Sequence, residues 1–298
     1  MSFVNLYVGG DDAWSKSDIE AIDHAIAAAM SDRSLNNVMR QYFDNAEISS
    51  TELPSHPLVG YRPKVMSQGD VEYCMSYLYD QGYLKPYNLS KTVFNLLLPS
   101  GTVLNVESGR SGTVASAEQN RRTLGDDPVF VAASMVGRAE EEEYESVIPH
   151  AEEGDSKSGL GGYHGSIHKG QKTIYYSVDV YSERRSDGTA NGIPVFKNPW
   201  KNVVATLYHE LQEARTDPDV EDVIRNPYDP RAEQLLGWTS DRGEECGDYP
   251  IDEARQISDV VKEVALADGT GMVPVQLQYS NAVHGPEGPI PEPHPLTR

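Results

Sequence analysis

The stretch "NPWKNVVATLYHELQEARTDP", Asn198 to Pro218, constrains this chain more than any other. Val203, Val204, Leu207, Leu211 and Ala214 recur at helical spacing, so they form one apolar stripe. Asn198 suits an N-cap and Pro199 the first turn. Pro218 disfavours helical geometry at Asp217, so the helix is expected over Pro199 to Thr216. His209 and Glu213 are four residues apart and share a face, with Glu210 beside them. H-E-x-x-H zinc hydrolases use this geometry to present two ligands and a base from one turn. Here glutamate stands at the second histidine position. A carboxylate ligates zinc, and a more anionic donor set also admits manganese or calcium. The same three residues equally suit the solvated face of an amphipathic helix.

The chain has 298 residues and a formal net charge of -21. Such a surface repels phosphate backbones and anionic lipid, which disfavours nucleic acid and membrane as partners. It is compatible with a metal ion or a cationic peptide. The two cysteines, Cys74 and Cys246, provide no disulfide framework. The start shows no signal-peptide pattern and no apolar run reaches membrane-spanning length, so a soluble, cytoplasmic protein is expected.

Strands are expected at Phe3 to Gly10, Lys91 to Gly101, Lys172 to Ser182 and within "VPVQLQYSN". Helices are expected at Lys16 to Asp32 with a Ser17/Glu20 capping box, around Leu35 to Phe43, at Ser67 to Gly82, and over "IDEARQISDVVKEVAL". Residues 105–158 read as a polar, acidic insertion with one helix near Ala115 to Thr123. Asp219 to Tyr249 is turn-rich, and 282–298 is too rich in Pro and Gly to be regular. Nothing reads as an interdomain linker. The expectation is one α+β domain spanning 1–298.

Four pieces then come into register: "HELQEARTDP", "GWTSDRGEECGDYP" (Gly237 to Pro250), "VQLQYSN" (Val275 to Asn281) and "GGYHGSI" (Gly161 to Ile167). Together with "VFNLLLP" upstream, they resemble the phosphate-induced (exordium-like) family and its bacterial relatives. Its pattern is H-E-x-x-E-x-x-T-[DN]-P, then G-W, E-x-[GA]-D and W-S-N, with G-[YF]-H upstream. Tyr279 stands where the family has Trp, and Tyr249 and Pro250 replace a cysteine that often follows E-x-[GA]-D. The resemblance implies a zincin-like fold: a short mixed sheet beside the active-site helix. It implies a divalent metal, zinc foremost, held by His209, Glu213 and a third donor, ranked Asp248, Glu245, then Asp219. Asp219 lies ten positions after His209, but Thr216 occupies the place of the glycine turn that register normally needs. Glu210 is then the general base. His164, read as part of a Gly-flanked loop, is a candidate to line the cleft, bind the metal or steady an oxyanion. The implied function is a metal-dependent hydrolase acting on a peptide or small amide. The rivals are a binding or signalling protein with a structural metal, and a metal-dependent enzyme of small-molecule biosynthesis.

Overall fold

A computed structural model describes residues 1–60, 62–106, 154–185, 187–219 and 237–295. In chain order, the first half contains β1 (Ser2–Gly9), α1 (Lys16–Ser31), α2 (Arg33–Met39), β2 (Thr51–Val59), β3 (Val65–Ser67), α3 (Gln68–Asp80), β4 (Thr92–Leu98) and β5 (Val103–Asn105). The second half contains β6 (Gly162–Lys169), β7 (Lys172–Val180), β8 (Glu183–Arg184), β9 (Ala190–Asn191), α4 (Pro199–Thr216), α5 (Asp248–Glu253), β10 (Val261–Ala265), β11 (Met272–Gln276), β12 (Gln278–Ser280) and β13 (Gly285–Glu287). The architecture is α+β, with a mixed five-stranded sheet ordered β2-β1-β4-β7-β6. Its first three pairings are parallel, and β6 joins β7 antiparallel as an edge strand.

Helices cover both faces of this sheet. On one face Phe3, Tyr7, Val93 and Leu97 pack against Ile22 and Ile26 of α1 and Val203, Leu207 and Leu211 of α4. On the other, Val4, Leu6, Phe94, Leu96 and Val178 meet Val71, Met75 and Leu78 of α3. This explains why β4 is buried at every position, as expected for an interior parallel strand. β2 was not anticipated, because Pro54 and Pro57 argue against a strand interior. They are tolerated because β2 lies at the sheet edge.

A row of polar side chains interrupts the apolar face beneath α1 and α4. Strand register aligns Asn5, Asn95, Ser177 and His164. Asn5 donates to Asp23 of α1 (2.8 Å), Asn95 donates to Asn5 (2.8 Å), and Ser177 donates to Asn95 (3.0 Å). The row satisfies groups that would otherwise be costly to bury, and it leads directly to the edge strand that carries His164.

Several expectations are corrected. "GGYHGSI" is strand, not loop: Gly162 to Ile167 lies in β6, held by its register with β7. The helix expected over Ile251 to Leu266 is mostly absent. α5 ends at Glu253, a 3-10 turn covers Ile257–Asp259, and Val261–Ala265 pairs with β11. Two adjacent valines and a waiting partner strand outweigh the local helical spacing there. The α1 cap is Ser15, whose hydroxyl accepts from the Asp18 N–H, and Ser17 lies inside the helix. Within the expected irregular tail, Gly285–Glu287 pairs with β12. The expected helix at 115–123 and most of the acidic insertion lie outside the described residues, as does 220–236. No helix among the described residues is long and apolar enough to cross a membrane.

Asn95→Ala leaves the Asn5 side-chain oxygen without its donor and removes one of the two acceptors of Ser177, which keeps Asp179. It should lower unfolding stability by roughly 2–4 kcal/mol in urea titration. A change below about 0.5 kcal/mol would show that the polar row contributes little.

Candidate metal site

The helix expected to carry a wet face has none around its centre. Every residue of α4 from Asn202 to Ala214 is buried. The sheet, α1 and Val273 and Val275 of β11 pack on the apolar stripe, and His164 of β6, the Gly247–Asp248 backbone and Gln276 at the end of β11 close over the side expected to be solvated. Glu210 is 3% exposed and Glu213 2%, so a solvated charged face is excluded as their explanation. Buried charge must be paired, bonded to donors or neutralised.

The surrounding elements supply part of that compensation. Glu213 Oε1 accepts the backbone N–H groups of Gly247 (3.0 Å) and Asp248 (3.2 Å). Its Oε2 lies 3.0 Å from His209 Nε2, which is also 3.3 Å from Asp248 Oδ1. The loop before α5 can approach this closely because residue 247 is glycine. A Cβ there would sit 2.6 Å from His209 Nδ1 and 2.7 Å from Glu213 Oε1. From the sheet edge, His164 Nδ1 lies 3.5 Å from Glu210 Oε2 and 3.8 Å from Glu213 Oε2. His164 Nε2 is 3.8 Å from Glu245 Oε1.

Both imidazoles are fixed through their second nitrogen. His209 Nδ1 donates to Gln276 Oε1 at 2.6 Å, and the Gln276 amide is oriented by donating to Gly247 O. His164 Nε2 donates to the Asp217 carbonyl at 2.9 Å. Carbonyl oxygens only accept, so each ring keeps its other nitrogen directed at the carboxylates. Metal-ligating histidines are commonly anchored in this way.

Burial disfavours the cationic form of His164, but Glu245, Glu210 and Glu213 outweigh it and hold its pKa well above the usual value. His209 is raised likewise, by Glu213, Asp248 and Glu210 against the effect of burial. Burial and the nearby Asp248 push Glu213 up to about 7. Burial and Glu245 push Asp217 up to about 8. Burial also raises Glu245 well above the carboxylate range. Burial acts upward on Asp248 too, but its contact with His209 prevails and lowers its pKa. Cys246 is buried and its thiol is pushed up, which removes it as a nucleophile.

The structure therefore brings together His164, His209, Glu210, Glu213, Glu245 and Asp248. His209, Glu213 and Asp248 can converge on one ion, and so can His164, Glu213 and Glu245. Asp219 does not join them. It accepts from Ser166 (2.8 Å) and lies 3.5 Å from His168, further along β6. The sequence marks Asp217 only as a helix end and Gly247 only as a motif position, and it does not single out Asp179 or Gln276. Asp217 and Asp179 are fully buried. Gln276 carries no sequence signal, and the motif does not say why residue 247 is glycine, since both roles depend on which chain segment packs against α4. The motif residues Trp238, Tyr249 and Tyr279 form one aromatic cluster beside Asp248, with Trp238 and Tyr279 stacked at 4.2 Å.

Glu213, Asp217 and both imidazoles hold protons more tightly in the folded chain than in the unfolded one. The stabilisation from Glu213 and Asp217 is complete below the ordinary carboxylate range and is lost as pH rises through about 7 to 8, and the two imidazoles act in the same direction. Asp248 acts in the opposite direction but stands alone. Chelator-treated protein should therefore show a lower urea midpoint at pH 8.5 than at pH 6, with Asp217→Asn flattening the difference. Equal midpoints in the unsubstituted chain would contradict these protonation states.

No family model, curated protein or solved structure matches the chain.

Proposed function

We propose that this chain is a metal-dependent hydrolase of zincin-like architecture, acting on a peptide or small amide bond. The observation that carries the reading is the fully buried H-E-x-x-E turn of α4, met by Asp248 from one side and His164 from the other. The residues fit a divalent cation. Two imidazoles have committed tautomers, and carboxylate oxygens converge on them. Glu245 Oε1 and both Asp217 carboxylate oxygens are buried without a well-formed hydrogen bond; the nearest polar neighbours of Asp217 include Glu245 and Gly237. His209, Glu213 and Asp248 would hold the ion. When bound, zinc or a related cation supplies Lewis acidity, polarising a carbonyl and acidifying water.

The remaining roles belong to the chain's own side chains. Glu210 accepts the proton of the attacking water and returns it to the leaving amine. His164 Nδ1 lies 3.5 Å from Glu210 Oε2 and pairs with that carboxylate when the ring is protonated. Gln276 keeps His209 in the ligating tautomer. Among the described residues β6 is an edge strand beside α4, a position suited to pairing with an extended peptide. Asp248, with its side chain 29% exposed, marks the open side of the site, and the aromatic cluster of Trp238, Tyr249 and Tyr279 borders it. The order of the four motifs and their resemblance to the exordium-like family support the same reading.

Purified protein incubated with a peptide library, read by mass spectrometry, should release cleaved products. Glu210→Gln should lower the rate by about 100-fold or more while bound metal is retained. His209→Ala should lose metal and activity together. Gln276→Leu should weaken metal affinity by about 10–100-fold. Cleavage unaffected by Glu210→Gln would overturn the assignment of the base, and no metal in chelator-free protein would overturn the hydrolase reading.

A further inference from the structure

The donors around Glu213 fall into two sets. His209, Glu213 and Asp248 each offer an atom within 4.8 Å of the others, and so do His164, Glu213 and Glu245. Glu213 belongs to both, and each set contains one imidazole. Ligand atoms about a single zinc, at roughly 2.0–2.2 Å from it, lie no more than about 4.4 Å apart, so each set is close to the size of one ion's shell. The two rings also arrive on different elements, His209 on α4 and His164 on β6, and each has its far nitrogen tied to an oxygen acceptor.

We infer that the site is built for two divalent cations bridged by the Glu213 carboxylate. His209 and Asp248 complete the first position, and His164 and Glu245 complete the second. This deepens the single-ion reading above and rests on the site binding metal at all.

Three observations favour a pair of ions. The first is charge. Glu210, Glu213, Glu245, Asp248 and Asp217 crowd two imidazoles, and no lysine or arginine among the described residues pairs with any of them. One divalent ion leaves this pocket strongly anionic, and a second brings it nearer to balance. The second is Glu245, whose buried Oε1 lacks a well-formed hydrogen bond, lies 3.8 Å from His164 Nε2 and falls outside the first set. The third is Asp217, fully buried with both carboxylate oxygens lacking a well-formed hydrogen bond. Its carbonyl anchors His164 and its carboxylate neighbours Glu245. It stands behind the second position, where an outer carboxylate supports ligating groups. The oxygen-rich donor set suits manganese as well as zinc.

The test is a titration of chelator-treated, full-length protein with manganese(II). Bound metal is counted by elemental analysis after gel filtration, and electron paramagnetic resonance reports whether the ions are neighbours. Two manganese ions per chain and a spin-coupled spectrum are expected. Glu245→Gln should bind one ion and show an uncoupled spectrum, and His164→Asn should do the same if the first variant fails to fold. One ion per chain in the unsubstituted protein overturns the two-cation inference and leaves the single site standing. No bound ion overturns both. Two coupled ions retained in both variants would place the second position elsewhere and overturn this assignment.

Discussion

The burial of one charged turn governs the rest of this structure. α4 is enclosed by the sheet, α1 and the β10–β11 hairpin, and its enclosed turn carries a histidine and two glutamates. Each ion taken from water into such an interior costs several kcal/mol after relaxation. Neighbouring elements offset part of that cost. Backbone N–H groups of Gly247 and Asp248 bond Glu213, Gln276 bonds His209, and His164 approaches Glu210. The remainder is offset by protonation in the absence of metal, because burial raises the pKa of Glu213 and Asp217. A divalent cation would offset it without those protons. An apolar turn here would be cheaper to fold, so the retained cost points to chemistry.

The parts of the site are positioned by different levels of structure. His209, Glu210 and Glu213 are placed by helical spacing alone. His164 is placed by strand register, in the row that runs through Asn5, Asn95 and Ser177. Asp248 and Glu245 are placed by a loop that glycine allows to lie against the helix. β11 both covers α4 and delivers Gln276 to His209, so the same segment excludes water and sets a tautomer.

This division also explains what was legible in the sequence. Features with a local period were readable: α4 and its ends, α3, and the apolar strand β4. The HELQE spacing was readable for the same reason. What depended on a partner was not. β10 reads locally as helix and becomes a strand because β11 lies beside it. "GGYHGSI" reads as loop because its glycines hide a strand held by its register with β7. The expected wet face of α4 failed because the groups that bury it, His164 of β6, the Gly247–Asp248 backbone and Gln276 of β11, are distant in sequence. Asp219 looked like a ligand by counting along the chain, yet Ser166 and His168 hold it elsewhere. Gln276 and Gly247 are generic in isolation and become specific only through what they touch.

The central claim is that the polar cluster beside α4 exists to hold a cation. Anomalous diffraction at the zinc absorption edge, from crystals grown with zinc, tests it most directly. The account predicts a strong anomalous peak about 2.0–2.2 Å from His209 Nε2 and from a Glu213 oxygen. A map featureless at that position, with the imidazole and carboxylates still packed against one another, would contradict it.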